Sequence, residues 1–393
     1  MSNEKKRGFA TRAVHGVPDQ VDVAPDPVVE PIQQSVSFAF ESADEFADVT
    51  NRRRTGYSYG RLENPTQEAL ARVVADLEGA EAGLALASGM AALHAAVLAQ
   101  LRAGDHVVAA RALYGSTVAL LRRVLPRYGI RADSCDCTDP AALKRALLPE
   151  TRVVLCETIA NPTLVLADLE ELAGLCHAAG ARLVVDNTFA SPYLCNPLSK
   201  GADLVMHSAT KYLGGHGDVI AGVLAGNKSL IDEVRALTVD VGGICSPFGA
   251  WLCLRGIRTL AVRMERHCQS ALYIAQRLQG DARVERVSYP GLDSFPQREL
   301  ARRQLRLGGG MVAFELRGGL EAGRRFMDRL KLVRRAGSLG AVHSLLLHPA
   351  STSHRQLSPD ELRAAGIPAG FVRLSIGLED AEDLMADIDQ ALG

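Results

Sequence analysis

Short, nearly continuous apolar runs alternate with amphipathic stretches through the first half of the chain. The runs read "GLALAS", "HVVAA", "RVVLCET", "RLVVDNT" and "DLVMH", and the stretches between them read "GMAALHAAVLAQL", "STVALLRRVLPRYG" and "ADLEELAGLCHAAG". Strands buried on both faces are apolar throughout, whereas surface helices carry a period near 3.6 residues. The pattern therefore predicts an α/β fold with a mostly parallel sheet, in which ligands bind at the carboxyl ends of the strands.

The remaining regions indicate an arm and a second, smaller domain. Residues 1–55 are rich in proline and charge and have no lasting period, which favours an extended arm. A helix is predicted after Asn64, a suitable N-cap, and a long helical stretch at 249–279 precedes the strands "GGMVAFEL" and "FVRLSIGLE" and a final helix, "DAEDLMADIDQALG". The predicted parts are the arm 1–55, a large domain 56–248 and a small C-terminal α/β domain 249–393.

Composition narrows the kinds of partner. The 393 residues are 47% hydrophobic, with 44 basic and 45 acidic side chains and a net charge of -1, so nucleic acid and membrane surfaces are not expected partners. The eight cysteines are scattered, and Cys135 and Cys137 have no second pair, so neither a disulfide framework nor a metal site is expected. Without an apolar signal core or an apolar run of about 18 residues, the expected location is the cytoplasm.

Polar residues follow three of the predicted strands. Ser88 and Gly89 open a helix, whose free N–H groups and positive dipole end favour a phosphate, although Ser-Gly is also an ordinary cap. Asp186 ends "RLVVD"; a carboxylate there suits a protonated ring nitrogen, or it caps a turn.

Lys211 follows the next strand, in "HSATKYLGGHGD", and glycines 214, 215 and 217 let the backbone approach closely. An amine among apolar groups has a lowered pKa and can condense with an aldehyde, whereas an isolated loop lysine is usually structural. A phosphate anchor, a counter-charge for a ring nitrogen and a reactive amine, in this order along a parallel sheet, match the requirements of pyridoxal phosphate (PLP). Lys211 is then the Schiff-base lysine.

Seven motifs resemble the cystathionine gamma-synthase family of PLP enzymes, also called the Cys/Met metabolism family. They are "YSYGRLENPT", "ASGMAA", "YGST", "ETIANPT", "VVDNTFASPY", "HSATKYLGGHGD" and "VRLSIGLED". The resemblance runs from about residue 30 to the C-terminus. It implies fold type I, the aspartate-aminotransferase type, and usually a tetramer built from two dimers with shared active sites.

The resemblance also implies roles for single residues. The phosphate group of PLP would be held by Gly89, Met90, Ser208 and Thr210. Tyr59 and Arg61 would reach the same phosphate from a neighbouring subunit, and the arm would also contact that subunit. Tyr114 would stack on the ring, Asp186 would pair with its nitrogen, and the cofactor oxygen and substrate carboxylate would be fixed by Asn161, Ser338 and Arg373. Arg373 also lies in an apolar strand, where its guanidinium needs a carboxylate or a structural salt bridge.

In the family the freed lysine takes the α-proton, and a tyrosine equivalent to Tyr114 protonates the leaving thiolate. The implied reaction is γ-elimination on a sulfur amino acid, yielding 2-oxobutanoate and ammonia. Such lyases and the γ-replacing synthases share nearly all of these residues.

Two positions bear on specificity. Ser116 stands where methionine γ-lyases resemble one another in having cysteine, and His343 stands where cystathionine enzymes often have a glutamate that could meet the distal ammonium. Val239, beside Asp240, departs from the lysine common in methionine lyases. The favoured prediction is an L-methionine γ-lyase, and cystathionine γ-lyase and γ-synthase are the alternatives.

Two other functional classes, a DNA-binding regulator and a thiol or zinc enzyme, lack support in the sequence. A DNA-binding regulator of this fold would need a fused module, but residues 1–55 lack a helix-turn-helix pattern. A thiol or zinc enzyme would need a cysteine with a partner, and the sequence suggests none.

Overall fold

A seven-stranded sheet forms the centre of the larger part of the molecule. The computed structural model describes residues 7–16, 27–352, 358, 360, 362 and 366–393. Across the sheet the strands are β1 Ala82–Leu86, β7 Gly222–Gly226, β6 Leu204–Ser208, β5 Arg182–Asp186, β4 Thr151–Glu157, β2 His106–Ala110 and β3 Arg131–Cys135. Only β7 runs antiparallel to its neighbours in this sheet, so the predicted mostly parallel α/β sheet is confirmed.

Alternate side chains of the central strands pack on opposite faces. Val154 and Val185 belong to one apolar cluster, and Val153 and Val184 belong to the other. The named helices before residue 280 are α1 Phe9–His15, α2 Ala43–Thr50, α3 Pro65–Glu78, α4 Gly89–Leu98, α5 Gly115–Ala119, α6 Pro140–Ala146, α7 Leu169–Ala178, α8 Ser191–Leu194, α9 Lys228–Val241, α10 Pro247–Ile257 and α11 Leu260–Gln279. Because both faces are covered, the strands are apolar throughout.

A second sheet of five strands forms the smaller part. Its order is β10 Arg334–Arg335, β11 Leu345–Leu347, β12 Phe371–Ser375, β9 Met311–Leu316 and β8 Val284–Ser288. Within the described ranges, the named helices of this part are α12 Arg298–Gln304, α13 Gly319–Arg329 and α14 Ala381–Leu392. The strands predicted from "GGMVAFEL" and "FVRLSIGLE" are β9 and β12, and the predicted final helix is α14.

Three predicted segments differ from the structure. The stretch 116–129 is not one helix: α5 continues as a π turn and then a 3₁₀ turn that contains Pro126, which has no N–H to donate. The stretch 249–279 is two helices that part at Arg258 and Thr259. Within 1–55, the described residues include helices α1 and α2 rather than extended chain alone, and the Ser42 side chain caps α2.

Candidate active site

The carboxyl ends of β4, β5 and β6 place three polar side chains side by side. Glu157 is the register partner of Asp186, and Asp186 is the partner of Met206, two residues before Ser208. Because side chains two apart on a strand share a face, these three point toward the α4 side of the sheet. The strand ends therefore converge where the sequence predicted a site.

The start of α4 closes against this edge. Ser88 is the N-cap, and its hydroxyl accepts from the Ala91 N–H at 3.0 Å. A Cβ on Gly89 would lie 2.7 Å from Ser208 Cβ, so only glycine lets the helix approach β6 so closely. No acidic residue lies in the first turn, which leaves the positive helix end available to an anion.

Lys211 lies immediately beyond β6 and is half-buried. Its Nζ donates to Ser338 Oγ at 2.8 Å. Burial, and then the positive charge of Arg373, lower the pKa of Lys211 below its usual value. A larger fraction of this amine is therefore neutral, and only the neutral amine is a nucleophile or a base.

The loop that carries Lys211 is held at both ends. Thr210 Oγ1 accepts from the Ala221 N–H at 3.1 Å, which ties the loop to the start of β7. On the far side Arg263 donates from Nη1 to the Tyr212 carbonyl at 2.8 Å. Gly215 has a φ of 74°, and a Cβ there would collide with the Arg263 guanidinium. Gly215, one of the three glycines predicted to allow close approach, thus admits a buried arginine.

Glu157, which is buried, and Asp186, which is half-buried, form an acidic pair. Asp186 Oδ1 accepts from the Thr188 N–H at 2.9 Å, and in the described residues no cationic side chain lies within salt-bridge distance of either carboxylate. Burial raises the pKa of Asp186, and burial together with the charge of Asp186 raises the pKa of Glu157 to about 8. Such a pair favours a cationic group in the cleft beside it.

Arg373 lies on β12 and is 5% exposed. Its Nη1 donates to Asn161 Oδ1 at 2.8 Å, and its Nη2 donates to the Ser338 carbonyl at 2.9 Å. Burial lowers its pKa to about 10, and its Nε is buried without a hydrogen-bond partner. Within the described part of the chain no carboxylate forms an ion pair with Arg373, so it retains the capacity to bind an anionic ligand.

Tyr114 lies across the cleft at the N-cap position of α5 and is 47% exposed. Its backbone N–H donates to Glu157 Oε1 at 2.7 Å, and its hydroxyl is near enough to Arg373 to affect that residue's pKa. Ser116 follows two residues later and is half-buried. The structure therefore places Tyr114 beside the cleft with its ring accessible.

Tyr59 and Arg61 lie elsewhere in the same chain. Arg61 donates to the Val239 carbonyl and stacks over the Tyr59 ring with its guanidinium 5.7 Å from the ring centre. In the described part of the chain, these side chains bond to Val239 and to each other rather than to the Lys211 loop. Within a single chain, therefore, Tyr59 and Arg61 do not reach the residues that are predicted to hold the cofactor phosphate.

His343 is half-buried beside the glycine loop. A Cβ on Gly217 would lie 3.3 Å from His343 Cε1, and the Val342 N–H donates to the Gly215 carbonyl at 2.9 Å. The loop of the small domain that carries His343 therefore packs directly on the loop that follows Lys211.

Sequence reasoning missed two residues of this site. Glu157 stands inside the motif "ETIANPT", but its bond to Tyr114 spans 43 positions; Arg263 is separated from Tyr212 by 51. The available signal was a charged residue in an otherwise apolar strand or helix face, which indicates a buried partner.

The arrangement fits PLP. The tight approach of α4 to Ser208 offers N–H groups and hydroxyls to a phosphate, the acidic pair suits a protonated ring nitrogen, and the half-buried Lys211 amine suits an aldehyde. Among the described residues no three metal-ligating side chains come together. No helix in the described ranges is long and apolar enough to cross a membrane.

Comparisons with known proteins agree with this geometry. The family "Cys/Met metabolism PLP-dependent enzyme" matches residues 10–393. The L-methionine gamma-lyase of Pseudomonas putida is 46% identical over 392 residues, covering 99% of this chain and 98% of that protein. The O-succinylhomoserine sulfhydrylase of Pseudomonas aeruginosa is 42% identical over 91% of this chain and 88% of its own length.

Solved structures match over nearly the whole chain. The metB protein of Corynebacterium glutamicum has a TM-score of 0.92 and 41% identity, covering 98% of both chains. A structure from Campylobacter jejuni, with a TM-score of 0.93 and 32% identity, covers 98% of this chain and all of its own and contains a pyridoxyl-lysine monophosphate.

Proposed function

The chain belongs to the Cys/Met metabolism family of PLP-dependent enzymes, and from this premise we propose that it is an L-methionine γ-lyase. The proposed reaction converts methionine to methanethiol, 2-oxobutanoate and ammonia. The observation that carries the reaction type is the environment of the Lys211 amine. This amine is half-buried, donates to Ser338 and lies close to Arg373, which forms no ion pair with a carboxylate in the described chain. The substrate is supported by the methionine gamma-lyases that are 43–46% identical to it over their full length.

The proposed cofactor contacts follow from the geometry. The phosphate would be bound by the first N–H groups of α4, at Gly89 and Met90, and by the hydroxyls of Ser208 and Thr210. The Asp186 carboxylate would keep a proton on the ring nitrogen, and the exposed ring of Tyr114 offers a stacking surface. When bound, PLP supplies an aldehyde that condenses with amines and a ring that withdraws electrons from the substrate α-carbon.

Substrate orientation and proton transfer are proposed for this chain's own side chains. Arg373, supported by Asn161 and Ser338, would bind the substrate carboxylate through its guanidinium fork. Lys211 Nζ, whose pKa is lowered by burial and by Arg373, would accept the α-proton. The Tyr114 hydroxyl would deliver a proton to the departing sulfur, so that methanethiol leaves as a neutral thiol.

We propose a homotetramer in which pairs of subunits share active sites. Its support is that Tyr59 and Arg61 do not approach Lys211 within one chain. The proposed division is an arm, 1–55, that crosses to the neighbour, a cofactor domain, 56–248, and a small domain, 249–393. A cytoplasmic location is proposed because all eight cysteines are free thiols, as expected in a reducing compartment.

Cystathionine γ-synthase is the second candidate. It is favoured by Val239, which stands in place of the lysine common in methionine lyases, and by the 42% identity to an O-succinylhomoserine sulfhydrylase, whose name contains an acyl-homoserine. In that case the same Lys211 and Tyr114 would act on an O-acyl-homoserine, and the thiol of cysteine would replace the acyloxy group at the γ-carbon, which leaves as a carboxylate.

The experiment is product analysis of the holoenzyme with four separate substrates: L-methionine, L-cystathionine, L-homocysteine, and O-acyl-homoserine plus cysteine. Methanethiol and 2-oxobutanoate from methionine, with little turnover of cystathionine, would support the proposal. Cysteine from cystathionine, or cystathionine from the ester, would contradict it and favour an alternative. Lys211→Ala should abolish turnover, whereas Lys200→Ala, which removes a surface amine paired with Glu170, should not.

A further inference from the structure

The Glu157 carboxylate connects two loops that leave different strands. Its Oε1 accepts from the backbone N–H of Tyr114, after β2, at 2.7 Å. Its Oε2 accepts from the backbone N–H of Asn161, after β4, also at 2.7 Å. Glu157 is 6% exposed at the end of its strand, so its position is set by the sheet. One rigid side chain thus fixes the separation between two loops of the site.

The same carboxylate lies beside the residue predicted to face the ring nitrogen. Glu157 and Asp186 are register partners on neighbouring parallel strands, which puts their side chains on one face of the sheet. The ionisable groups that act on the pair are Asp186 itself from β5, Arg373 from β12 and His207 from β6, and the pair in turn raises the pKa of the Cys156 thiol on β4. Charge on Glu157 is therefore felt where the cofactor ring would bind.

The Glu157 carboxyl group holds its proton more tightly than a carboxyl group in water does. Burial and the charge of Asp186 raise the pKa of Glu157 to about 8, against the opposing effect of the two N–H donors and Arg373. Near neutral pH Glu157 is mainly protonated, and it gains its charge as the pH rises through the alkaline range.

We propose that Glu157 is a positioning residue of the cofactor site, which holds the Tyr114 and Asn161 loops at a fixed separation and places a second ionisable carboxyl group beside Asp186. The inference rests on the cofactor site of the proposed function, but not on which sulfur amino acid is the substrate. It assigns to Glu157 an indirect role, through Tyr114, Asn161 and Asp186, rather than contact with substrate.

Two substitutions separate geometry from charge. Glu157→Gln keeps the shape but has one acceptor oxygen instead of two and cannot ionise, so one of the two N–H groups loses its acceptor. Glu157→Asp keeps the charge but is one methylene shorter and cannot reach both N–H groups. Asp387→Asn is the matched control, because Asp387 also accepts backbone N–H groups, from Lys331, Leu332 and Val333 in the small domain.

The first measurement is the visible absorbance of the bound cofactor as a function of pH, in the parent holoenzyme and the three variants. A nearby negative charge favours the protonated form of a cofactor nitrogen, and Glu157→Gln removes that charge. The alkaline midpoint of the absorbance change should therefore move down by about half a pH unit or more in Glu157→Gln. Glu157→Asp and Asp387→Asn should keep the parent midpoint.

The second measurement is kcat and KM with whichever substrate the product analysis identifies. Loss of the fixed loop separation should lower kcat by roughly 10- to 100-fold in both Glu157 variants, with a smaller change in KM. Asp387→Asn should retain the parent kcat.

A parent-like midpoint in Glu157→Gln holoenzyme would overturn the inference, and so would an equal shift in Asp387→Asn. If Glu157→Gln does not fold, a parent-like kcat in Glu157→Asp overturns it instead. A shifted midpoint in an enzyme that does not turn over methionine would leave this inference standing while the proposed function fails.

Discussion

At the scale of single residues, burial of the Lys211 amine lowers the free energy of unfolding, although the same burial makes the amine more reactive. Its pKa is lowered in the folded protein, mainly by burial, so the unfolded chain binds more protons at this group between the folded pKa and the usual value. Stability contributed by this group therefore rises with pH through that window. The cost is present at neutral pH and fades in the alkaline range.

We expect Lys211→Met to raise the free energy of unfolding of the apoprotein by about 1 kcal/mol at pH 7, because an apolar side chain replaces a desolvated amine. The gain should shrink as the pH approaches 9.5. Urea unfolding at both values measures it. Lys200→Met, which alters a surface ion pair, should stay within about 0.5 kcal/mol of the parent. A destabilised Lys211→Met apoprotein would contradict the assignment.

His343 tests substrate choice at the same scale. It packs against Gly217, in the loop that follows Lys211. A carboxylate at this position would attract the distal ammonium of cystathionine and offers nothing to methionine. We expect His343→Glu to raise the ratio of kcat/KM for cystathionine over methionine by about tenfold, or roughly 1.4 kcal/mol. His343→Gln, polar but uncharged, is the control, and an equal rise there would refute a charge effect.

At the scale of elements, the close approach of α4 to β6 gives Gly89 a packing role that Gly174 lacks. A Cβ at Gly89 would lie 2.9 Å from Ser208 Cα, whereas a Cβ at Gly174, within α7, meets nothing within 4 Å. Gly89→Ala should cost about 1–3 kcal/mol and weaken PLP binding, because helix and strand must separate where the phosphate is predicted to bind.

Gly174→Ala provides the contrast. Alanine in an unobstructed helix position should stabilise the protein by about 0.4–1 kcal/mol and leave PLP affinity unchanged. Thermal unfolding and PLP titration of both variants measure the difference. Equal PLP affinity in Gly89→Ala and the parent would show that this contact does not shape the phosphate site.

Elements were predictable where local pattern and final environment agree. Strands β4 to β6 are apolar because both faces are covered, and Asn64 caps α3 through bonds that lie within four residues. The stretch 116–129 was mispredicted because a helical apolar period continues past the point at which Pro126 stops it. Periodicity describes a face, but not where the hydrogen-bond ladder ends.

The residues of the site likewise divide into those that local sequence predicts and those that it does not. Lys211 and Asp186 were predictable because Asp186 ends one apolar strand and Lys211 follows another, so local sequence places both at the sheet edge. Glu157 and Arg263 each also bond to a distant backbone group, at Tyr114 and Tyr212, which lie 43 and 51 positions away. Backbone N–H and C=O groups are the same at every residue, so sequence carries no mark of which one a side chain will meet.

At the scale of the whole molecule, the question is whether one chain forms a complete site. Lys211 faces Ser338 and Arg373, while Arg61 of the same chain bonds to Val239 on α9. If Arg61 serves the site of a neighbouring subunit, Lys211→Ala and Arg61→Ala damage different halves of each shared site. In a mixed dimer one site then contains both changes and the other contains neither.

We therefore expect Lys211→Ala and Arg61→Ala to have little activity separately and to regain activity when the two are unfolded and refolded together. Random pairing makes half of the dimers mixed, each with one intact site, so about a quarter of the parent activity should return. Two differently tagged Lys211→Ala chains, refolded together, form the control and should remain inactive. Refolded mixtures that contain mixed dimers but show no recovery would place Tyr59 and Arg61 in the site of their own chain, and the separation seen within one chain would then require a rearrangement on cofactor binding.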